Sequence, residues 1–479
     1  MRESNSPVTV AAVIFMLIFS LFAFNGAGAN LQSQQPCKIT ASDAAAYDYF
    51  GFAVSCSSNY VAVGAPYHNG SGDKSGAVYI FKYSQGGWLE QTKLCPADGD
   101  ENDCFGFAVS MSGDCVVIGA PYNDASCTDC GAAYVFNRIG NSWFQQAKLT
   151  PADPSSDKLF GESVCIWGDY IIVGSRYDCE LGQACGAAYI FKRQGGNWRQ
   201  QAKLTASEPK SYGQFGWSVA IRDGYAIVGA IGADITGYDG GEAYIFKQVG
   251  SQWLQDAKLL PRPSIGEAGF GFAVSISPAL AVVAAPFEYC GRNKEAGSVY
   301  IFRPAQTGWM LETNLNSYDC SDADQFGKSV CLDNDFVVVG TEFEDTGKIG
   351  QTGSAYVFRC QDKTWVSGPK LTAPDCQAYD RFGASVAVSS GCIVSGAAYD
   401  DDKGNNSGSV YIFGQPVVPA DLTGDKHVDF ADFAVLASHW LRSGCQSPDW
   451  CSGSDINHDG RVDLSDLQSL LENWLCDMN

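Results

Sequence analysis

Small, apolar and polar residues recur along the first 415 positions in a pattern that restarts every 55 or 56 residues. Phe-Gly opens each restart, at Phe50, Phe105, Phe160, Phe215, Phe270, Phe326 and Phe382. A valine flanked only by Ala, Ser or Cys follows (Val54, Val109, Val164, Val219, Val274, Val330, Val386), which predicts a strand with one small face and one apolar face. A second apolar run ends at Gly64, Gly119, Gly174, Gly229, Ala284, Gly340 or Gly396. A third carries Tyr-(Ile/Val)-Phe, at Tyr79, Tyr134, Tyr189, Tyr244, Tyr300, Tyr356 and Tyr411. A fourth starts at a Trp (88, 143, 198, 253, 309, 365) and usually ends in Lys-Leu. Each unit therefore reads as four short strands, and a fixed period of this length marks a repeated supersecondary unit.

The seventh unit stops at Phe413 without its Trp strand, while Lys38-Ile39-Thr40 is an orphan copy of that strand ahead of the first Phe-Gly. An open stack has no use for such a complement, whereas a ring does: the N-terminal strand completes the last blade and leaves no open edge. The predicted fold is an all-β, seven-bladed β-propeller over 37–415, with the small-faced strands crowded towards the axis. The long connections, before Phe-Gly and after the Gly-Ala motif, share one face. Three residues past the second-strand glycine stands an aromatic in six repeats: Tyr67, Tyr122, Tyr177, Phe287, Phe343 and Tyr399. These rings either pack beneath their own loops or offer stacking surfaces to a glycan or peptide.

Composition narrows the setting. The formal net charge of −22 argues against nucleic acid or an anionic membrane as partner. Val8 to Phe24 is an apolar run ending near Ala27-Gly28-Ala29, so 1–29 reads as a signal peptide cleaved after Ala29, with an uncleaved anchor as the alternative. Nineteen cysteines then imply an oxidising compartment and, being odd in number, at least one thiol without a partner in the chain. Cys127/Cys130, Cys179/Cys185, Cys95/Cys104 and Cys445/Cys451 are the close pairs suited to stapling loops.

The repeats resemble FG-GAP repeats, as in the propeller of integrin α chains. Phe50-Gly51 with Gly64-Ala65-Pro66, and Phe105-Gly106 with Gly119-Ala120-Pro121, match the name literally, whereas later repeats drift at the second motif (Gly174-Ser175-Arg176, Gly340-Thr341-Glu342). The Asp-rich calcium loop common in integrin-type repeats has no counterpart in the short first hairpins, such as Ser55 to Tyr60, so propeller calcium sites are not carried over.

Pro416 to Pro419 ends the repeats, and 416–420 reads as a stiff linker to a different chemistry over 421–479. Asp421, Thr423, Asp425, the His427 carbonyl, Asp429 and Asp432 occupy positions 1, 3, 5, 7, 9 and 12 of a loop. Asp455, Asn457, Asp459, the Arg461 carbonyl, Asp463 and Asp466 repeat the set 34 residues on. Oxygen donors at this spacing suit a hard cation, and Gly460 at position 6 permits the sharp turn that Lys426 makes harder in the first copy. Two calcium ions are expected. Each loop feeds a predicted helix, with Phe433, Leu436, Ala437, Trp440 and Leu441 matching Leu467, Leu470, Leu471, Trp474 and Leu475 at core-facing spacing.

This small α-helical, EF-hand-like module resembles a type I dockerin, with a duplicated loop–helix unit and Asp at position 12. The resemblance implies calcium binding and docking to a cohesin-like or other cell-surface partner, often in polysaccharide-degrading assemblies. Phe430-Ala431 and Leu464-Ser465 stand where many dockerins carry partner-reading hydroxyls, so the partner's identity is not carried over.

No catalytic constellation stands out. His427, His439 and His458 lie in the calcium module, leaving His68 alone in the propeller, where a surface role is expected. Three readings compete: a tethered binding propeller, a propeller glycosidase or lyase using loop carboxylates, and a surface adhesin capped by the calcium module.

Overall fold

The computed structural model describes residues 35–84, 86–124, 127–178, 183–233, 240–261, 267–306, 308–361, 363–389, 391–414 and 430–445, with 451, 454–456, 461–463, 466, 467 and 470 beyond. The segment 1–34, the linker, most of the first loop, and Asn457 and Asp459 of the second lie outside the described residues.

The repeats fold as seven four-stranded antiparallel sheets. The first blade is β2 (Ala53–Ser57), β3 (Tyr60–Ala65), β4 (Ala77–Ser84) and β5 (Gly87–Leu94), in that order outwards. The innermost strands of successive blades touch one another round a closed circuit, the seventh against the first. The seventh blade contains β26 (Ser385–Ser389), β27 (Cys392–Ala397) and β28 (Ser409–Phe413), and its outer strand is β1 (Cys37–Ile39), with Lys38 opposite Tyr411. Closure by the N-terminal strand is thus as the orphan copy predicts.

The two glycine motifs are halves of one joint. A Cβ on Gly119 of the second blade would lie 1.8 Å from the carbonyl oxygen of Gly161, the Phe-Gly glycine of the third. Gly64 meets Gly106 in the same way at 2.1 Å, and Gly396 closes the ring against Gly51 at 2.0 Å. Gly161 itself has φ +98°, a conformation that disfavours any side chain. A third glycine completes the joint: Gly76, Gly131, Gly186, Gly241 and Gly353 bridge the Phe of the next Phe-Gly. At the outer rim the Trp indole N–H reaches back one blade, Trp143 to Gln91 at 3.1 Å and Trp198 to Gln146 at 2.9 Å.

The core lies between blades. Phe50, Phe105, Phe160, Phe215 and Phe270 and all seven triplet tyrosines are fully buried, each Phe edge-on to the Tyr of its own blade, as Phe50 is to Tyr79 at 5.5 Å.

Beyond the propeller, α1 (Phe430–Ser438) precedes a turn at Leu441, where φ is +62°. The N–H of Leu441 bonds the Val462 carbonyl at 2.9 Å, and that of Val462 bonds the Arg442 carbonyl at 2.9 Å. Leu436, Cys445, Cys451, Ile456, Val462 and Leu470 form a small core, with Cys445 and Cys451 disulfide-bonded. The predicted stripe is corrected here. Only Leu436 of the first five is buried: Phe433 and Ala437 lie on the exposed side of α1, and because α1 stops at Ser438 and the chain turns to pair with Val462, Trp440 and Leu441 are exposed as well.

Candidate functional sites

Where the long connections meet the axis, the aromatics past the second-strand glycine join others that the sequence reading missed. Those stand two positions after the Phe of Phe-Gly, at the entry to the inner strand: Phe52, Phe107, Trp217 and Phe272, with Glu162, Lys328 and Ala384 there in the other three blades. Phe52 packs on Phe107 at 4.9 Å, Trp217 on Phe272 at 5.3 Å, and Tyr49 joins Tyr67 to Tyr399 at 5.3 and 5.1 Å. Cations of the chain itself fill the spaces between. Arg176 lies 4.6 Å from the Tyr177 ring and 4.5 Å from Trp217, and Arg381 lies 4.8 Å from Phe343 and 4.2 Å from Tyr399. Lys328 stands among Phe272, Phe287 and Phe343. The result is a belt of rings and cations about the axis, with every ring half-buried. Phe287, Phe343 and Tyr399 therefore do more than pack beneath their own loops, since they contact Lys328, Arg381 and Tyr49 of the next blade. The period at the position two past Phe was the available signal.

Two carboxylates serve the belt. Glu162 pairs with Arg176 at 2.8 Å, and burial pushes it up to about 7 against the pull of that guanidinium. Glu342 is 3.3 Å from Arg381 and is likewise raised by burial, with Lys328 and Arg381 opposing. Burial lowers Lys328, with Glu342 opposing.

Further out on the same face, most blades hold a carboxylate on the triplet Tyr hydroxyl and the Lys of the fourth strand. Tyr79 donates to Asp43 at 2.7 Å and Lys93 binds the same carboxylate at 2.7 Å. In the seventh blade Tyr411 donates to Asp375 at 2.7 Å, and Lys38 binds Asp375 at 2.8 Å and the buried Asp400 at 2.9 Å. Burial opposes the charge of Asp375, yet its bonds from Lys38 and Tyr411 hold it below the usual carboxylate range.

His68 belongs to the first of these clusters and is buried, which corrects its expected surface role: its Nδ1 is 3.0 Å from Asp48, and Lys93 lies 3.4 Å from Nε2. In the sixth and seventh blades Glu344 and Asp400 stand at the position of His68, facing Asp324 and Asp380. Burial, partly offset by the backbone bond from Ser321, and the charges of Glu344 and Asp319 push Asp324 up to about 6. Burial, partly offset by the bond from Gln377, and the charges of Asp400 and Asp401 do the same to Asp380, again to about 6.

Of the predicted calcium ligands, Asp432, Asp455, Arg461, Asp463 and Asp466 are described; Asp421, Thr423, Asp425, His427, Asp429, Asn457 and Asp459 lie outside the described residues. Asp432, Asp455 and Asp466 are 0% exposed. The Asp466 carboxylate accepts from the N–H of Ile456 at 2.6 Å and of Asp463 at 2.8 Å, so position 12 ties the start of the second loop to its end. Wholly buried carboxylates beside a small apolar core are costly unless their charge is balanced. An all-oxygen donor set of this kind fits a hard divalent cation.

Cys445–Cys451 is the pair that forms as the sequence suggests, and Cys185 is bonded, its suggested partner Cys179 lying outside the described residues. Cys95, Cys104, Cys127 and Cys130 are thiols, which corrects the other two pairings. The turn at Cys127–Cys130 brings the Cys130 thiol within 2.7 Å of the Cys127 carbonyl. Cys104 is buried at the joint beside Phe105.

Comparison with known proteins gives three matches. The FG-GAP repeat family matches seven times, over 34–81, 88–136, 143–191, 198–246, 253–302, 309–358 and 365–413. The dockerin type I domain matches residues 419–473. Integrin alpha-6 of Gallus gallus is 31% identical over 142 residues, covering 28% of this chain and 12% of the integrin.

Proposed function

The chain belongs to the FG-GAP repeat family and carries a dockerin type I domain, and from that premise we propose that it is an extracellular or cell-surface protein whose propeller is a binding scaffold and whose C-terminal domain docks it, with calcium, to a cohesin-type partner. The observation that carries the reading is the burial of Asp432, Asp455 and Asp466 inside the dockerin match. Two ions are proposed, one held by Asp421, Thr423, Asp425, Asp429, Asp432 and the His427 carbonyl, the other by Asp455, Asn457, Asp459, Asp463, Asp466 and the Arg461 carbonyl. Calcium supplies the positive charge that lets the acids of each loop converge, and folding and docking are then linked. Among the described residues of this domain, exposed Trp440 and Leu441 offer a protein partner apolar area. On the propeller, the half-open belt of rings supports the long-loop face as the ligand surface, for glycan or peptide.

The test uses the full-length protein and a panel of immobilised cohesin modules. Retention in calcium, release by chelator, and loss of retention in Asp455→Ala are the expected results. Retention unchanged by chelator sinks the calcium-linked reading, and failure on every cohesin with calcium binding intact by calorimetry sinks the docking half alone.

A further inference from the structure

We propose that Cys290 and Cys320 form a disulfide in the mature protein, bracing the long-loop face between the fifth and sixth blades. Cys290 lies in the connection from Ala281–Ala285 to Ser298–Pro304 of the fifth blade, and Cys320 in the crossover from Trp309–Leu315 to Ser329–Asp333 of the sixth. Their sulfurs are 3.0 Å apart, closer than unbonded sulfurs settle and about 1 Å beyond a disulfide's length.

The approach is not an accident of two loose side chains. The turn Cys290–Asn293 is closed by reciprocal backbone bonds of 3.0 and 3.1 Å, and the Asn293 amide donates to the Cys320 carbonyl at 2.7 Å. Beyond it, Lys294 N–H bonds Asp322 at 2.8 Å, and Ala323 N–H bonds the Lys294 carbonyl at 2.8 Å. Hydrogen bonds that involve neither thiol therefore already hold the two segments together, so pairing asks only for a side-chain rotation. Close spacing in sequence, which suggests Cys95/Cys104 and Cys127/Cys130, misses a pair 30 positions apart that the blade junction brings together.

The reaction needs a disulfide oxidant of the kind found in export compartments. A thiolate of the pair attacks the oxidant's disulfide, forming a mixed disulfide and releasing one reduced thiol. The second cysteine then attacks its neighbour's sulfur and expels the other, so two protein thiols are oxidised and one oxidant disulfide is reduced. Burial and the Cys320 sulfur push the Cys290 thiol up to about 11, which disfavours its thiolate.

The bond has a local consequence. Cys320 sits between Asp319 and Ser321, which with Asp324, Phe343, Glu344 and Lys370 line a recess of about 830 Å³. The cross-link fixes that wall, so any ligand entering the recess meets it already ordered.

The proposal rests on the extracellular reading, and its test does not depend on docking. Full-length protein, exported through an oxidising compartment, is denatured, alkylated without reduction, digested and mapped by mass spectrometry. The expected result is one linked peptide joining Cys290 to Cys320, two hydrogens lighter than the separate pair, with neither cysteine alkylated. Full alkylation of both, or a bond from either to another cysteine, overturns the proposal. As a second readout, the Cys290→Ser/Cys320→Ser variant should lose less melting temperature on adding reductant than the parent does; equal losses overturn the bracing role.

Discussion

Gly119→Ala is the most demanding test of the joint that spaces the blades. The new Cβ would sit 1.8 Å from the Gly161 oxygen and 2.9 Å from its carbonyl carbon, both backbone atoms that no side-chain rotation removes. Relief requires the third blade to move by more than an ångström. That shift strains the bond from the Phe160 N–H to the Cys130 carbonyl across the joint, 3.1 Å long. Overpacking of this kind costs about 1–3 kcal/mol, and weakening that backbone bond adds about 1 kcal/mol. With a denaturant slope of about 3 kcal/mol per molar, the urea midpoint should fall by about 1 M.

The molecule supplies its own control. Ala284 already occupies the equivalent position in the fifth blade, where a Cβ placed on Gly327 would lie 3.0 Å from the Ala284 methyl. Its nearest carbonyl, that of Ser298, is 3.4 Å from a Cβ position, whereas the matching distance at Gly161 is 2.3 Å. One joint has been re-spaced to take a methyl group, so Ala284→Gly should shift the midpoint little. Equilibrium unfolding followed by tryptophan fluorescence compares the three proteins. A Gly119→Ala midpoint equal to the parent's, or an Ala284→Gly loss as large, would refute the steric account.

Other outcomes follow from the rim and the belt. Lys38→Met should destabilise by about 2–4 kcal/mol, because Asp400 is left buried without its cation, and deleting 37–40 should promote aggregation through the open edge of β28; light scattering and melting check both. The raised carboxyl of Asp380 favours the folded state fully below its ordinary value of about 4, and that advantage disappears as pH climbs through about 6. Asp380→Asn should therefore be stabilised relative to the parent at about pH 8, with the gap closing towards about pH 4; a gap independent of pH contradicts the assignment. Tyr122→Ala should cost less than the about 3–5 kcal/mol of a core aromatic truncation, since its ring is half open, and should weaken glycan or peptide binding if that face is the ligand surface; a full core-sized loss without a binding change assigns the ring to packing alone.

The sequence discloses what repeats locally. The four strands, the seven blades and the closing role of 37–39 are legible because each rests on a short pattern that recurs in register. Relations between units are hidden. Gly64 and Gly106 meet only once two blades stand side by side. Lys93 has Asp98 five positions away but binds Asp43, 50 positions back, on the crossover entering its own blade. The helical spacing from Phe433 continues past Ser438 to Leu441, so periodicity alone overruns the point where pairing with Val462 turns the chain.

The outer strand of the seventh blade has a consequence for how the protein is made. Lys38 and its partner Asp400 are 362 positions apart, so the strand of the propeller made first is the last to find its place. Blades built from contiguous chain can assemble in order as they emerge, whereas β1, made before the other strands of the propeller, stays unpaired until β28 is complete. The two ends of the repeat array are one mechanical unit. Trimming a few residues at the start unravels the finish, and a permuted chain, cut instead at a short hairpin within a middle blade, would move that dependence to whichever blade received the cut.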